Sequence, residues 1–108
     1  MKQLKNDDFF DKRDIQFLKF CNDSNDIFRI KNRQYNDAIS RTGLLGASVE
    51  IIGVAARLEP LIVNNKDFDT QILDLPSFRE SVMNALHDLH NYSNIALIML
   101  EDGNWRGE

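Results

Sequence analysis

The segment from residue 44 to residue 58 constrains the fold most strongly, because it is apolar around almost its whole helical circumference. Its apolar side chains are Leu44, Leu45, Ala47, Val49, Ile51, Ile52, Val54, Ala55, Ala56 and Leu58. A helix with so little polar surface must be covered on most of its sides. In a chain of 108 residues, a partner subunit is expected to provide part of that cover. We therefore predict a homo-oligomer, most simply a two-fold dimer.

Two further segments have helical spacing of their apolar residues, one over residues 11–34 and one over residues 77–100. No segment shows the period-two alternation of a convincing strand. The chain is therefore predicted to be a single all-α domain over residues 1–108, folded as an antiparallel helical bundle of three to five helices. Residues 1–10 are expected to form an N-terminal arm and residues 101–108 a C-terminal tail.

Local signals predict where these helices begin and end. The polar stretch at residues 22–26 is compatible with a turn between two helices or with one continuous helix, and the sequence leaves this choice open. Pro60 should end or kink the second helix, because proline removes a backbone donor and clashes with the preceding turn. Ser77 and Glu80 have the spacing of a capping box at the start of the third helix. Gly103 is expected to stop that helix.

Charge and composition exclude several classes of protein. The net charge is −4 and the basic residues are scattered, which argues against a surface for duplex nucleic acid. No apolar run approaches the roughly 20 residues that a membrane-spanning helix needs, and residues 1–8 lack a signal-peptide pattern. Cys21 is the only cysteine, so neither a disulfide within the chain nor a cysteine-based zinc site is expected. These features predict a cytoplasmic protein.

Polar side chains of the third helix fall on one stripe, formed by Glu80, Asn84, Asp88 and Asn91. Residues three, four and seven apart share a helix face, and an Asp is seldom buried without a partner. A cation, a ligand or a neighbouring helix should therefore meet this stripe. Glu80 also has a structural interpretation, as the carboxylate of the capping box.

The second helix carries groups that could meet the stripe. Glu50 and Arg57 are seven residues apart and share a face, with Gly53 between them. A glycine inside a helix costs about 1 kcal/mol relative to alanine, so it indicates close packing or space for a ligand. If the two helices are antiparallel neighbours, Glu50 and Asp88 could hold a divalent cation, and Arg57 could contact a phosphate. The structural alternative is a buried bridge between Asp88 and Arg57.

Other candidate sites are weaker. His87 and His90 are three residues apart, a spacing that can chelate zinc, but no third ligand is evident and a zinc site is not expected. Cys21 is expected to pack in the core. No glycine-rich phosphate loop and no Ser-His-Asp set can be argued, so the catalytic residues are left unassigned.

Three short motifs follow one another between residues 18 and 100. They are Lys31-Asn32-x-x-Tyr35, the spacing of Gly43, Gly46 and Arg57, and Asp88-Leu89-x-Asn91-Tyr92. In this order they resemble the nucleotide-modification-associated domain of phages and bacteria, a family similar to the MazG-like all-α nucleoside triphosphate pyrophosphohydrolases. The resemblance implies a MazG-like helical fold, Mg²⁺ bound by acidic side chains, and attack of water on a nucleotide phosphate.

The chain departs from this family in its acidic residues. Glu50 and Asp88 match one acid of each of the two pairs that the resemblance implies, whereas Gly53 and Ala85 occupy the other two positions. The resemblance also implies an acid where this chain has Asn84. Because half of the expected metal ligands are absent, the resemblance implies the fold more strongly than the activity.

Two hypotheses follow from the sequence. The first is a MazG-like protein that binds a nucleotide or related phosphate compound and that, in an enzymatic form, is a Mg²⁺-dependent nucleoside triphosphate pyrophosphohydrolase. Its predicted metal ligands are Glu50 and Asp88, and its predicted ligand-binding residues are Tyr35, Arg57, Asn84 and Asn91. The alternative is a catalytically inactive helical homo-oligomer that acts as an interaction subunit or inhibitor of another protein.

Overall fold

The described part of the chain folds into three α-helices and one π-helical segment. The computed structural model describes residues 2–39, 41–66, 74–103 and 106–107, with side chains described from residue 9 onward except at residues 36–38. The elements are α1 (Lys2–Ile39), α2 (Gly43–Leu58), the π-helical segment Glu59–Val63 and α3 (Pro76–Asp102). These described residues contain no strand, which confirms the all-α prediction. The MazG-like arrangement and the number of helices in a bundle stay predictions.

Helix α1 is continuous through the polar stretch at residues 22–26, which resolves the choice that the sequence left open. Ser24 explains why the helix does not break there. Its hydroxyl is hydrogen-bonded to His87 of α3 at 2.6 Å, so it does not compete for the backbone groups of its own helix. A polar side chain that points into a helix–helix contact is thus compatible with an unbroken α1.

The N-terminal residues belong to α1. Residues 2–10 are helical and continue directly into the rest of the first helix. Phe9 and Phe10 are nonetheless exposed, which places this end of α1 outside the core.

A left-handed residue connects α1 to α2. Gly43 has a φ of 62°, a conformation that residues with a Cβ rarely adopt, and the Thr42 amide donates to the Ile39 carbonyl at 3.2 Å. Helix α2 then ends at Leu58, two residues before Pro60. The predicted effect of Pro60 is confirmed, and the chain continues as a π-helical turn in which the Asn64 amide donates to the Glu59 carbonyl at 2.8 Å.

Helix α3 begins two residues earlier than the capping box predicts, because a cap at Ser77 would make Phe78 the first helical residue. Pro76 occupies the start of the helix, and the cap residue Leu75 makes no side-chain cap hydrogen bond. Because the fixed φ of proline suits the first helical position, Ser77 lies inside the first turn instead of at the cap. The capping-box prediction is therefore wrong, and Glu80 is exposed. The predicted stop is confirmed, since Gly103 follows the last helical residue with a φ of 76°.

The core lies where α2 and α3 pack together beside the end of α1. It is built from the buried side chains of Ile39, Ala47, Ala96 and Met99, with Leu44, Tyr92 and Ile95 packed against them. Ala47 meets the C-terminal half of α3, whereas Arg57 at the other end of α2 approaches Asp88 at 3.8 Å. Helices α2 and α3 are therefore antiparallel neighbours, which is the arrangement that the predicted site between them required.

The outer faces of the helices are rich in apolar side chains. Leu45 and Ile52 of α2 are 72% and 68% exposed. The other described helices therefore cover the apolar surface of α2 on one side only. Val49 of α2 is also exposed, as are Leu97, Ile98 and Leu100 near the end of α3. Among the described helices, none combines the length and the apolar character needed to cross a membrane. The predicted polar loop after α2 and Trp105 of the tail lie partly or wholly outside the described residues.

Candidate functional site

Asp88 is the centre of a polar cluster to which all three α-helices contribute. The Tyr35 hydroxyl of α1 donates to Asp88 Oδ1 at 2.7 Å. Lys31 Nζ lies 3.9 Å from the same oxygen, and Arg57 Nη2 lies 3.8 Å from Oδ2. Lys31 and Tyr35 are four residues apart and share one face of α1. The cluster therefore joins one carboxylate to a phenol and two cations.

Asn91 is hydrogen-bonded to the Tyr35 hydroxyl and helps to hold it in position. Its amide nitrogen donates to the Ser24 carbonyl at 3.0 Å and to the Tyr35 hydroxyl at 3.4 Å. Asn91 and Tyr35 are each only 3% exposed. These contacts make them positioning groups for Asp88, and contact of either residue with a ligand stays a prediction.

The environment of Tyr35 keeps its hydroxyl protonated. The pKa of Tyr35 is raised to about 12, with burial as the largest cause; the hydrogen bond from Asn91 opposes the shift, and the hydrogen bond and the charge of Asp88 add to it. Burial disfavours the phenolate because it removes water from the charged form. At neutral pH Tyr35 is therefore a donor that holds Asp88 in place.

The two cations of the cluster are accessible. The side chain of Arg57 is 61% exposed and that of Lys31 is 45% exposed, whereas Asp88 is 20% exposed. The bridge between Arg57 and Asp88 that the sequence suggested is present, but it is not buried. Exposed ion pairs contribute only about 0–1 kcal/mol to stability. The ion pair with Asp88 therefore gives Arg57 little stabilising role.

A groove of about 270 Å³ opens beside Asp88 and Arg57. Its other lining residues are Leu61, Ser81, Asn84 and Ala85. The structure thus brings together Arg57, Asn84 and Asp88, three of the predicted site residues. Glu80, the first member of the polar stripe, does not line this groove.

The negative charge of Glu50 affects Tyr92, which packs against Tyr35. The pKa of Tyr92 is raised by burial first, then by the negative charges of Glu50 and Asp88, and it is lowered by Arg57. The Tyr92 ring packs edge-on against Tyr35 with ring centroids 5.0 Å apart. Both predicted metal ligands are therefore close enough to Tyr92 for their charges to affect its hydroxyl.

The donor set does not by itself form a closed metal site. Among the described residues, no group of three or more His, Cys, Asp or Glu side chains could hold a metal ion, and both Asp88 oxygens already face donors or cations. Mg²⁺ commonly binds one or two carboxylates and completes its shell with water and substrate phosphates. Mg²⁺ at Glu50 and Asp88 stays a prediction that requires ligands from outside the chain.

The histidines have other partners. His87 Nδ1 is bonded to Ser24, and His90 Nε2 lies 3.0 Å from the Asn94 amide nitrogen. Cys21 is half-buried and lines grooves between α1 and α3, so it lies at the edge of a helix contact rather than in the central core.

Lys31 belongs to one of the sequence motifs, but no role was predicted for it. The signal that could have identified it is the four-residue spacing to Tyr35, which places both on the face of α1 that meets α3. The structural role of Ser24 was also missed, because its partners on α3 are more than 60 positions away in the sequence.

Comparison of the chain with protein-family models, with curated proteins and with solved structures gave no match. The resemblance to the MazG-like proteins therefore depends on the three sequence motifs alone.

Proposed function

We propose that the chain binds a phosphate-bearing small molecule, such as a nucleotide, in the groove beside Asp88. The observation that carries this proposal is the pair of exposed cations, Lys31 and Arg57, on two different helices at 3.9 and 3.8 Å from one carboxylate. Two exposed cations that converge on one carboxylate can also attract an anion that carries more charge than a single carboxylate.

Within the described part of the chain, the side-chain donors of Lys31 and Arg57 make no hydrogen bond. Distances of 3.8 and 3.9 Å are longer than hydrogen bonds between nitrogen and oxygen. Asp88 therefore attracts Arg57 and Lys31 without saturating their donors. A phosphate can take these donors, because guanidinium groups bind phosphate oxygens in a two-pronged geometry and ammonium groups bind them as point charges.

The remainder of the ligand would occupy the groove. Asn84 is exposed there, and its side chain makes no hydrogen bond to any residue that the structure describes. Its amide offers both donors and an acceptor, which suits a base or a sugar. Leu61 adds an apolar contact on the opposite wall. These features favour a nucleotide over inorganic phosphate, and they do not select one base.

A calorimetric titration of the full chain with pyrophosphate and with nucleoside triphosphates tests the proposal. Lys31→Gln and Arg57→Gln should each weaken binding about tenfold, as expected for loss of a charge-assisted contact. Arg33→Gln is the matched control, because Arg33 is exposed on α1 two residues from Lys31 and is not one of the two cations that approach Asp88. Binding that is absent, or that is weakened equally by all three variants, would overturn the proposal.

Hydrolysis is a separate part of the proposal. It requires Mg²⁺ at Glu50 and Asp88, bound together with the phosphate of the nucleotide. Release of pyrophosphate from a nucleoside triphosphate, dependent on Mg²⁺ and abolished by Glu50→Gln, is the expected result. Binding without any turnover would reject the enzymatic form and leave the binding proposal standing.

The second candidate function is that of a helical homo-oligomer serving as an interaction protein. The specific observation is the apolar outer surface of α2 and α3, where Leu45, Val49, Ile52, Leu97 and Leu100 are all more than half exposed. Monomeric soluble proteins seldom expose large continuous apolar patches. A protein partner bound in a fixed ratio and insensitive to Asp88→Ala would favour this function over ligand binding.

A further inference from the structure

A second groove, of about 350 Å³, lies between α1 and α3 and includes none of the residues of the phosphate proposal. Its apolar walls come from Phe17 and Phe20 of α1 and from Met83 and Leu86 of α3. These four side chains are between 37% and 71% exposed. The groove therefore presents a continuous apolar surface with room for a small molecule.

The described lining of this groove includes one arginine and no carboxylate. Arg79 lines it, and the Arg79 side chain makes no ion pair or hydrogen bond with the described residues. His87 also lines it, with Nδ1 held 2.6 Å from the Ser24 hydroxyl. When that hydroxyl donates to Nδ1, the neutral imidazole carries its proton on Nε2 and offers a donor. No Asp or Glu is among the described lining residues.

The spacing on α3 orders these groups along the groove. Arg79, Met83 and His87 follow one another at four-residue intervals on one face of α3. The eight residues from Arg79 to His87 span about 12 Å along the helix axis. The stripe thus runs from a guanidinium, over an apolar side chain, to an aromatic ring. This order matches a molecule with an anionic head and an apolar body.

We infer that this groove binds a small amphipathic carboxylate, with its carboxylate at Arg79 and its apolar chain along Met83 and Leu86 against the two phenylalanines. Guanidinium and carboxylate form strong paired hydrogen bonds. The apolar chain is attracted because its contact with Phe17 and Phe20 removes apolar area from water. An aliphatic carboxylate of medium length, such as octanoate, has the required shape.

The test is a titration of the full chain with sodium octanoate, followed by NMR of backbone amides and by calorimetry. Octan-1-ol and octylamine serve as matched probes with the same chain and no negative charge. Octanoate should bind saturably at the groove, and both matched probes should bind at least about fivefold more weakly, because Arg79 attracts only the anion. Arg79→Gln should remove this preference and leave octanol binding unchanged.

Two variants complete the experiment. Arg29→Gln is the control, because Arg29 is exposed on α1 and does not line the groove, and it should leave octanoate binding unchanged. Leu86→Gln should weaken octanoate and octanol together, since Leu86 is 48% exposed and its replacement alters the groove rather than the core. Circular dichroism of both variants verifies that the helices remain.

Two results would overturn the inference. Equal binding of octanoate, octanol and octylamine would make the groove an unselective apolar surface. Shifts at the groove that depend on protein concentration and that octanoate does not reverse would identify its occupant as a second copy of the chain. Either result is independent of phosphate binding at Asp88, because the two grooves share no lining residue.

Discussion

Tyr35 is the short-range partner of Asp88, and the cations act on that carboxylate from farther away. The phenol donates at 2.7 Å, while Lys31 and Arg57 approach at 3.9 and 3.8 Å. A hydrogen bond to a charged group contributes about 1.5–3 kcal/mol, and an exposed ion pair contributes about 0–1 kcal/mol. The position of Asp88 should therefore depend on Tyr35 more than on either cation.

Replacement of Tyr35 by Phe should lower the free energy of unfolding by about 1–3 kcal/mol, because Asp88 loses its donor and Asn91 loses one acceptor. Urea denaturation measures this loss. Tyr92→Phe is the matched control, since the Tyr92 hydroxyl makes no hydrogen bond to a described residue. An equal effect of the two substitutions would contradict the role given to Tyr35.

The raised pKa of Tyr35 predicts a loss of stability in alkali. The pKa is 10.0 for the unperturbed group and about 12 in the folded chain. The unfolded state therefore loses its proton first, and stability that is fully present below pH 10 is lost as the pH rises through 12. The loss should be on the order of 2 kcal/mol, measured by urea denaturation across this range. Tyr35→Phe should show a smaller loss, and an unchanged pH dependence would contradict the assignment.

Asp88→Asn tests whether the ion pair between Asp88 and Arg57 behaves as an exposed or as a buried one. The Asn oxygen can still accept from Tyr35, and Lys31 and Arg57 stay hydrated, so the free energy of unfolding should change by no more than about 1 kcal/mol. Asp88→Ala also removes the acceptor of Tyr35 and should cost more. A loss of several kcal/mol in Asp88→Asn, measured by urea denaturation, would show that the bridge with Arg57 behaves as a buried one.

At the scale of the elements, the sequence predicted best where a single residue decides the outcome. Pro60 and Gly103 mark the ends of α2 and α3, because one lacks a backbone donor and the other tolerates a left-handed conformation. The capping box was wrong because Pro76 is better placed than Ser77 to start α3. The continuity of α1 could not be predicted, since the partner of Ser24 is His87, distant in sequence and adjacent only in the fold.

Gly53 and Gly43 should respond in opposite directions to substitution by alanine. A Cβ at Gly53 would meet nothing within 4 Å, so Gly53→Ala should raise the free energy of unfolding by up to about 1 kcal/mol through helix propensity. Gly43→Ala should lower it by about 1 kcal/mol or more, because Gly43 has a left-handed conformation. Thermal and urea denaturation measure both. Loss of an oligomer in Gly53→Leu would instead place this face in a subunit contact.

At the scale of the whole molecule, part of the candidate site followed from the sequence. Helical spacing predicted that Arg57, Asn84 and Asp88 lie together across α2 and α3, and the groove contains all three. Helical spacing could not identify Lys31 as a partner of Asp88, because that contact depends on how α1 crosses α3. It also could not show that Arg57 is exposed, since exposure depends on the cover that neighbouring helices provide.

The exposed apolar faces predict self-association. A dimer or larger assembly should appear in light scattering at micromolar concentration as a mass above the 12.5 kDa of one chain. Ile52→Lys should shift the distribution toward the monomer, because Ile52 is 68% exposed on the outer face of α2 and a lysine cannot be covered there without cost. A mass of 12.5 kDa at all concentrations would contradict the homo-oligomer.

Phosphate binding at Asp88 is the central claim, and NMR titration of the full chain with pyrophosphate tests it most directly. The account predicts saturable shifts of the Arg57 guanidinium and the Asn84 amide, which are lost in a Lys31→Gln, Arg57→Gln double variant that keeps the helical spectrum. Absence of shifts at these groups, or shifts that persist in the double variant, would contradict the claim.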